Sequence, residues 1–133
     1  MNNKIIKIQK KKNKSKIVSL TAYSKNIAKI LDKYCDIVLV GDSMANVLYG
    51  LNNTHSISIE NIIQHTISVK KGVKNSLLVV DMPKGTYSNS ILAKKNAKYI
   101  MRLTKCDAVK IESNGRNFNI IKELEKIKIP VMG

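Results

Sequence analysis

Several residue types are scarce in this sequence, and each shortage excludes a class of protein. Trp is absent and Phe118 is the only Phe, so aliphatic side chains have to form the core. The two cysteines, Cys35 and Cys106, lie far apart and outside any metal-binding spacing, which favours buried packing over redox chemistry. Arginine is limited to Arg102 and Arg116. The scarcity of Arg argues against a nucleic-acid-binding protein.

Long apolar runs are also missing. No stretch is long enough to span a membrane, so we expect no membrane partner. The first residues lack an apolar segment followed by a small-residue cleavage site, which argues against secretion. An organelle presequence would more typically carry Arg, and that alternative stays open. We therefore expect a cytoplasmic protein.

Positive charge is abundant, with 24 Lys and Arg against 9 Asp and Glu and a net charge of +15. A small basic nucleic-acid-binding protein is thus one alternative, because basic domains attract phosphate. However, the lysines are dispersed, and no aromatic stacking platform accompanies them. The densest lysine run lies at 10–16, and we predict that residues 1–16 form a basic leader that is a solvated tail.

Three of the few acidic residues stand at the ends of three apolar runs. Asp42 follows 37–40 with Gly41 between, Asp81 follows 77–80, and Glu112 follows 108–111. Short β-branched runs read as parallel strands, whose carboxyl ends form ligand sites. Three hard oxygen ligands at one rim would suit a divalent cation, most plausibly Mg²⁺.

Strand and helix patterns alternate from residue 17 onwards. The predicted strands are 17–20, 36–40, 77–80, 108–111 and 129–132, and the segment 44–55 is predicted to be irregular. Ser24 and Ser58 are predicted helix N-caps, Gly72 is expected just past a helix end, and further helices are predicted over 90–103 and around 120–127.

This alternation implies an α/β fold with a parallel sheet. Five strands can form an open sheet or the first part of a (β/α)₈ barrel. A complete barrel usually needs ~250 residues, so the 133-residue chain would hold little more than half of one. We predict that residues 17–133 are the N-terminal part of a (β/α)₈ TIM-type barrel, truncated after about strand five.

The strand ends carry further chemistry. Gly41 permits a tight or left-handed turn before Asp42, and Ser43 adds a hydroxyl. Asp81 is followed by a loop that Pro83 stiffens. Lys110 lies within an apolar run, where an unpaired ammonium is costly, so we expect it to face a polar mouth or pair with an acid.

Six segments in sequence resemble the ketopantoate hydroxymethyltransferase (3-methyl-2-oxobutanoate hydroxymethyltransferase) family of pantothenate and coenzyme A biosynthesis. The resemblance covers 16–133 and rests on Ile17–Tyr23, Val40–Ser43, Ile62–Thr66, Asp81–Tyr87, Val109–Glu112 and Ile129–Gly133. Any one of these motifs is unspecific, whereas all six in order with proper spacing are not.

The resemblance implies a (β/α)₈ barrel that forms large homo-oligomers. It implies transfer of a one-carbon unit from the co-substrate 5,10-methylenetetrahydrofolate to 3-methyl-2-oxobutanoate, giving 2-dehydropantoate, with Mg²⁺ polarising the 2-oxo group. By the same resemblance Asp42, Asp81 and Glu112 are metal ligands. Asp42 and Asp81 also count as substrate-binding, together with Ser43 and Lys110. No catalytic residue is assigned in the chain, because the general base is expected beyond residue 133.

The sequence also departs from the family pattern. Ser24 stands where an Asp is usual, Lys84 replaces a Phe near the folate side, and Met44 and Ala45 replace Leu and Gly. Neither His55 nor His65 is predicted to be a ligand. With the base absent, activity of this chain alone is doubtful, and a complementary C-terminal fragment is one expected partner. The alternative enzyme is a related metal-dependent barrel of the phosphoenolpyruvate mutase and isocitrate lyase kind.

Overall fold

Five short strands form one parallel sheet in the computed structural model, which describes residues 2–113, 115 and 117–133. The strands are β1 (Ser19–Thr21), β2 (Ile37–Val40), β3 (Leu77–Asp81), β4 (Ala108–Lys110) and β5 (Val131–Met132). The helices are α1 (Asn3–Gln9), α2 (Lys25–Leu31), α3 (Met44–Val47), α4 (Ile59–Lys70), α5 (Ser90–Thr104) and α6 (Phe118–Lys126).

The order of the strands in the sheet is the order in the chain, β1-β2-β3-β4-β5, and every neighbouring pair is parallel. A doubly wound sheet would reverse its order at a switch point. Parallel crossovers have one hand, so an unreversed order keeps the connecting helices on one side of the sheet. This is the arrangement of consecutive units of a (β/α)₈ barrel.

Alternation along the strands separates two apolar clusters. The larger cluster lies between the sheet and the helices and includes Val38, Val40, Leu78, Val80 and Val109. The smaller cluster lies on the other face and is built on Ile37, Leu77, Val79 and Ala108. Because side chains alternate with a period of two, Asp81 and Lys110 belong to this second, inner face.

The N-terminal segment is not a solvated tail. Residues Asn3–Gln9 form α1, and Ile5 and Ile8 pack against the inner cluster at the starts of β2 and β3. The Lys4 ammonium donates to the Ser76 carbonyl at 2.8 Å, and Lys11 pairs with Asp36 at 2.7 Å. Helix α1 therefore covers the amino ends of the strands. The division into residues 1–16 and 17–133 stays a prediction.

Helix boundaries follow the predicted caps only in part. Ser58 forms a capping box with Asn61 at the start of α4, as expected of an N-cap. Ser24 precedes α2, but its side chain makes no capping hydrogen bond. The segment predicted as irregular contains α3, a single helical turn that follows Ser43. Within the part of the chain described here, no helix has both the length and the apolar character needed to cross a membrane.

Gly72 lies just past the end of α4, as predicted, and it permits a close approach between two helices. Its φ is not positive, and α4 ends at the right-handed Lys71. A Cβ on Gly72 would lie 2.4 Å from the Lys25 carbonyl oxygen and 2.8 Å from the Lys29 nitrogen. Gly72 therefore lets α4 end in direct contact with the α2 backbone.

Candidate metal and oxo-acid site

A cleft of about 420 Å³ opens at the carboxyl ends of the strands. Four of the five predicted site residues line it, and they come from the ends of β2, β3 and β4: Asp42, Asp81, Lys110 and Glu112. The remaining lining residues are Thr54, His55, Met82, Lys84, Tyr87, Ser113 and Asn117. The polar residues that follow the separate apolar runs thus lie together in one cleft.

The centre of the cleft is an ion pair between neighbouring strands. Asp81 is the last residue of β3, and the ladder places it directly beside Lys110 of β4. The Lys110 Nζ donates to Asp81 Oδ1 at 2.7 Å, and the Asp42 backbone N–H donates to Asp81 Oδ2 at 3.2 Å. Lys110 is therefore paired with an acid, which satisfies the requirement that an ammonium in an apolar run must have a partner.

Burial and charge oppose one another at this pair. Only 6% of Asp81 is exposed, and burial raises the pKa of its carboxyl although Lys110 and the Asp42 N–H lower it. Burial alone would lower the pKa of Lys110, but its hydrogen bond to Asp81 and the charges of Asp81 and Glu112 raise it overall. Lys110 thus stays a cation beside a carboxyl that is harder to ionise than usual.

The three predicted metal ligands share the cleft without forming a ligand cluster. Among the described residues, no group of three or more His, Cys, Asp or Glu side chains is arranged to hold a metal ion. The Lys110 Nζ lies 2.7 Å from Asp81 Oδ1 and 3.9 Å from Glu112 Oε1, between those two acids. Asp42 and Asp81 remain adjacent hard-oxygen donors of the kind Mg²⁺ prefers. The metal role of all three acids stays a prediction.

Ser43 is the fifth predicted site residue, and it does not line the cleft directly. Its hydroxyl is 2.8 Å from the Tyr23 hydroxyl. A Cβ on Gly41 would lie 2.9 Å from Ser43 Oγ and 3.3 Å from Asp81 Oδ2. Both side chains therefore pack closely against the Gly41 Cα, where any side chain would interfere. The φ of Gly41 is not positive. Of the two predicted possibilities, a tight or a left-handed turn, the chain forms the tight one, in which the Gly41 carbonyl accepts the Met44 N–H at 3.3 Å. Gly41 also provides the space that brings Ser43 next to Asp81.

None of the seven other lining residues was assigned a role in the site from the sequence, and three of them have notable contacts or charges nearby. Burial raises the pKa of the Tyr87 phenol, which faces the charges of Glu112, Lys110 and Asp81. At the mouth, the Lys84 ammonium donates to His55 Nε2 at 2.9 Å. Tyr87 and Lys84 could have been found from the sequence, because both lie in Asp81–Tyr87, one of the six segments that resemble the family. No sequence signal distinguished His55 from other loop residues.

Comparison with known proteins decides the family. The family model described as ketopantoate hydroxymethyltransferase matches residues 2–133. The chain belongs to this family. The resemblance noted in the sequence is thus confirmed, and it extends through α1 to residue 2.

Curated relatives agree with this assignment. The chain is 57% identical over 133 residues to the 3-methyl-2-oxobutanoate hydroxymethyltransferase of Pelagibacter ubique (strain HTCC1062), covering 100% of this chain and 52% of that protein. It is 44% identical over 129 residues to the enzyme of the same name from Anaplasma marginale (strain St. Maries), covering 97% of this chain and 47% of that protein. The chain spans about half the length of the curated relatives it matches.

Solved structures with a similar fold confirm the barrel type. A phosphonopyruvate hydrolase in complex with oxalate and Mg²⁺ superposes with a TM-score of 0.67 at 9% identity, over 87% of this chain and 41% of that one. A 2,3-dimethylmalate lyase, described as a member of the PEP mutase/isocitrate lyase superfamily, gives 0.67 at 11% identity, over 99% and 50%. The prediction of an α/β fold of the (β/α)₈ barrel type is thereby confirmed, with five parallel strands matching about half of each of these structures. These distant likenesses concern the fold alone.

Proposed function

We propose that this chain supplies the N-terminal, substrate-binding part of a 3-methyl-2-oxobutanoate hydroxymethyltransferase. One observation carries the proposal: Asp42, Asp81, Lys110 and Glu112 line one cleft at the carboxyl ends of the strands, in a chain that matches the family over residues 2–133. That end of a barrel is where its catalytic groups gather.

The reaction joins C3 of 3-methyl-2-oxobutanoate to the one-carbon unit of 5,10-methylenetetrahydrofolate. C3 loses a proton, the new C–C bond forms, water supplies the hydroxyl group, and 2-dehydropantoate and tetrahydrofolate leave. The difficult step is the loss of the C3 proton, because it moves negative charge onto the 2-oxo oxygen. Groups that hold positive charge beside that oxygen lower the barrier.

The residues of the cleft suit this chemistry. Asp42 and Asp81 would hold Mg²⁺, with Glu112 completing the shell through water; when bound, the cation would supply Lewis-acid polarisation of the 2-oxo group. Lys110, held by Asp81 at 2.7 Å, adds a fixed positive charge for the developing oxyanion. Ser43 offers a hydroxyl to the substrate carboxylate. A phosphonopyruvate hydrolase of this fold was solved with oxalate and Mg²⁺, which supports a metal-bound oxo acid as the ligand class.

Calorimetry on the chain tests the site before activity is considered. We expect weak, measurable binding of Mg²⁺, and of 3-methyl-2-oxobutanoate in its presence. Asp42→Ala and Asp81→Ala should each weaken Mg²⁺ binding by about 10-fold or more, because each removes a charged ligand. Glu125→Gln, an exposed position on α6, is the matched control and should change nothing. Unchanged Mg²⁺ affinity in both Asp variants would reject the metal site.

Several further parts of the proposal extend beyond this cleft. The folate co-substrate, a homo-oligomer, a complementary C-terminal fragment and a cytoplasmic location all stay predictions. The family assignment supports the folate co-substrate, because the relatives carry the name of a hydroxymethyltransferase.

A further inference from the structure

Tyr23 is held at both of its ends by residues that are distant in the sequence. Its backbone carbonyl, just after β1, accepts a hydrogen bond from His65 Nδ1 of α4 at 2.8 Å. Its hydroxyl is 2.8 Å from Ser43 Oγ. Tyr23 therefore links the helix layer, through its backbone carbonyl, to the strand-end loop that carries Asp42, through its side chain.

The proton positions around His65 follow from the partners. A backbone carbonyl only accepts, so His65 Nδ1 must carry the proton. In the neutral ring Nε2 is then an acceptor, and the Tyr49 hydroxyl, 2.9 Å away, donates to it. The Tyr49 ring also meets the His65 ring edge to face, with centroids 6.1 Å apart at 81°. These contacts fix both the tautomer and the orientation of the imidazole.

The other end of Tyr23 reaches the oxo-acid site. Ser43 Oγ and Asp81 Oδ2 both lie within 3.3 Å of the position that a Gly41 Cβ would take. The Ser43 hydroxyl can either donate to Tyr23 or accept from it. If Tyr23 donates, the single proton of Ser43 is available for an anionic ligand beside Asp81.

We propose that His65 is a positioning residue for the oxo-acid site, acting through Tyr23 on Ser43. By holding the Tyr23 carbonyl, His65 fixes the backbone from which the phenol reaches Ser43 Oγ. In the proposed arrangement the Tyr23 O–H donates to Ser43 Oγ. The Ser43 O–H then points at the carboxylate of the bound 2-oxo acid. This inference rests on the proposed function, because it deepens the role given there to Ser43. It assigns a role to His65, which is not one of the predicted metal ligands.

The first test compares two replacements of His65 by calorimetry on the full chain. His65→Asn places an amide N–H near the position of Nδ1, whereas His65→Ala removes the donor. We expect His65→Ala to weaken 3-methyl-2-oxobutanoate binding by about 3- to 10-fold, the effect of losing one hydrogen bond, and His65→Asn to restore most of it. Mg²⁺ affinity should stay the same in both, because His65 contacts neither Asp42 nor Asp81.

Gln64→Ala, the exposed neighbouring position on α4, is the matched control. A merely structural role for His65 would lower Mg²⁺ and oxo-acid affinity together, and His65→Asn would give no rescue. Either of those results would overturn the inference.

The second test needs no ligand. Thermal unfolding of His65→Ala, Ser43→Ala and the double variant forms a cycle. Because both changes act through Tyr23, the Tm loss of the double variant should be smaller than the sum of the single losses. Additive losses would contradict the link. If the unsubstituted chain binds no 2-oxo acid, the proposed function fails, and this cycle still decides whether His65 and Ser43 are connected.

Discussion

At the residue scale, the aspartates before the strands have a shared role that their chemistry explains. Asp36 accepts the Val18 N–H at 3.0 Å and pairs with Lys11, while Asp107 accepts the Leu78 N–H at 2.9 Å and lies 3.6 Å from Lys4. Each carboxylate thus satisfies a backbone donor near the amino end of the neighbouring strand. Asp36 follows Cys35 and Asp107 follows Cys106, so this repeated Cys-Asp pair marks a repeated way of starting a strand.

A further aspartate, Asp32 at the end of α2, accepts more hydrogen bonds than Asp36 or Asp107 and supports a stability prediction. Its two oxygens accept the backbone N–H groups of Asn75 and Ser76 and the Asn75 side-chain amide, at 2.8 to 3.1 Å. Burial would raise the pKa of Asp32, but these donors outweigh it and hold the pKa below its ordinary 3.8. The ionised form therefore stabilises the fold above pH 3.8, and this contribution is lost as the pH falls through the lower folded pKa.

We expect Asp32→Asn to lower the free energy of unfolding by about 1–3 kcal/mol near neutral pH, because an amide cannot accept all of these donors. The difference in free energy of unfolding between Asp32→Asn and the unsubstituted chain should become smaller in acid. Urea unfolding at about pH 7 and about pH 3 measures it, with exposed Glu60→Gln as the control. A gap that widens in acid would contradict the assigned direction of the pKa shift.

At the scale of elements, contacts between distant elements form helices that local sequence patterns do not predict. Ser58 caps α4 as its sequence predicts, because both partners of the capping box are local. Helix α1 looked like a charged tail, yet Ile5 and Ile8 reach apolar partners on the inner face of the sheet. A short lysine-rich helix has too few local interactions to be recognised, and its stability depends on that packing.

Gly72 gives a prediction about the α2–α4 contact. An added methyl group would meet backbone atoms of Lys25 and Lys29, which cannot move without separating the helices. We expect Gly72→Ala to lower the free energy of unfolding by about 1–3 kcal/mol, whereas Lys71→Ala, at the exposed adjacent position, should be nearly neutral. Thermal melts of both variants measure the difference. Equal melting temperatures for the two would show that the helices are not in the close contact described.

At the scale of the whole molecule, one side of the sheet leaves apolar groups uncovered. Strand β1 is an edge strand, and Ile17, Val18 and Leu20 are each more than two-fifths exposed. Ile27 and Ile30 of the adjoining α2 are about half exposed as well. Exposed apolar side chains next to an edge strand favour association.

We expect the 133-residue chain by itself to self-associate or to require a complementary fragment. Sedimentation velocity should show species larger than 14.9 kDa that grow with concentration. Leu20→Lys with Ile30→Lys should shift the distribution toward the monomer, because charge on an edge opposes pairing. Ile91→Lys, an exposed apolar position on α5, is the matched control and should have little effect. A compact monomer at all concentrations in the unsubstituted chain would contradict this prediction.

Much of the fold and of the candidate site could be predicted because the signals are local. Each apolar run ends at a defined residue, and the period of two places Asp81 and Lys110 on the same face of neighbouring strands. The five strands, their parallel direction and the gathering of acids at one rim follow from those patterns. The roles of Gly41 and Gly72 do not, because close approach to a Cα involves atoms from elsewhere in the chain.

The order of residues alone determined the family, the succession of strands and helices, and the end of the sheet where chemistry is placed. Packing in three dimensions decided that α1 covers the amino ends of the strands, that Lys110 lies between Asp81 and Glu112, and that His65 holds Tyr23. Local patterns constrain each residue relative to its near neighbours. Contacts such as His65 to Tyr23, 42 positions apart, depend on how whole elements meet, and no local pattern specifies that.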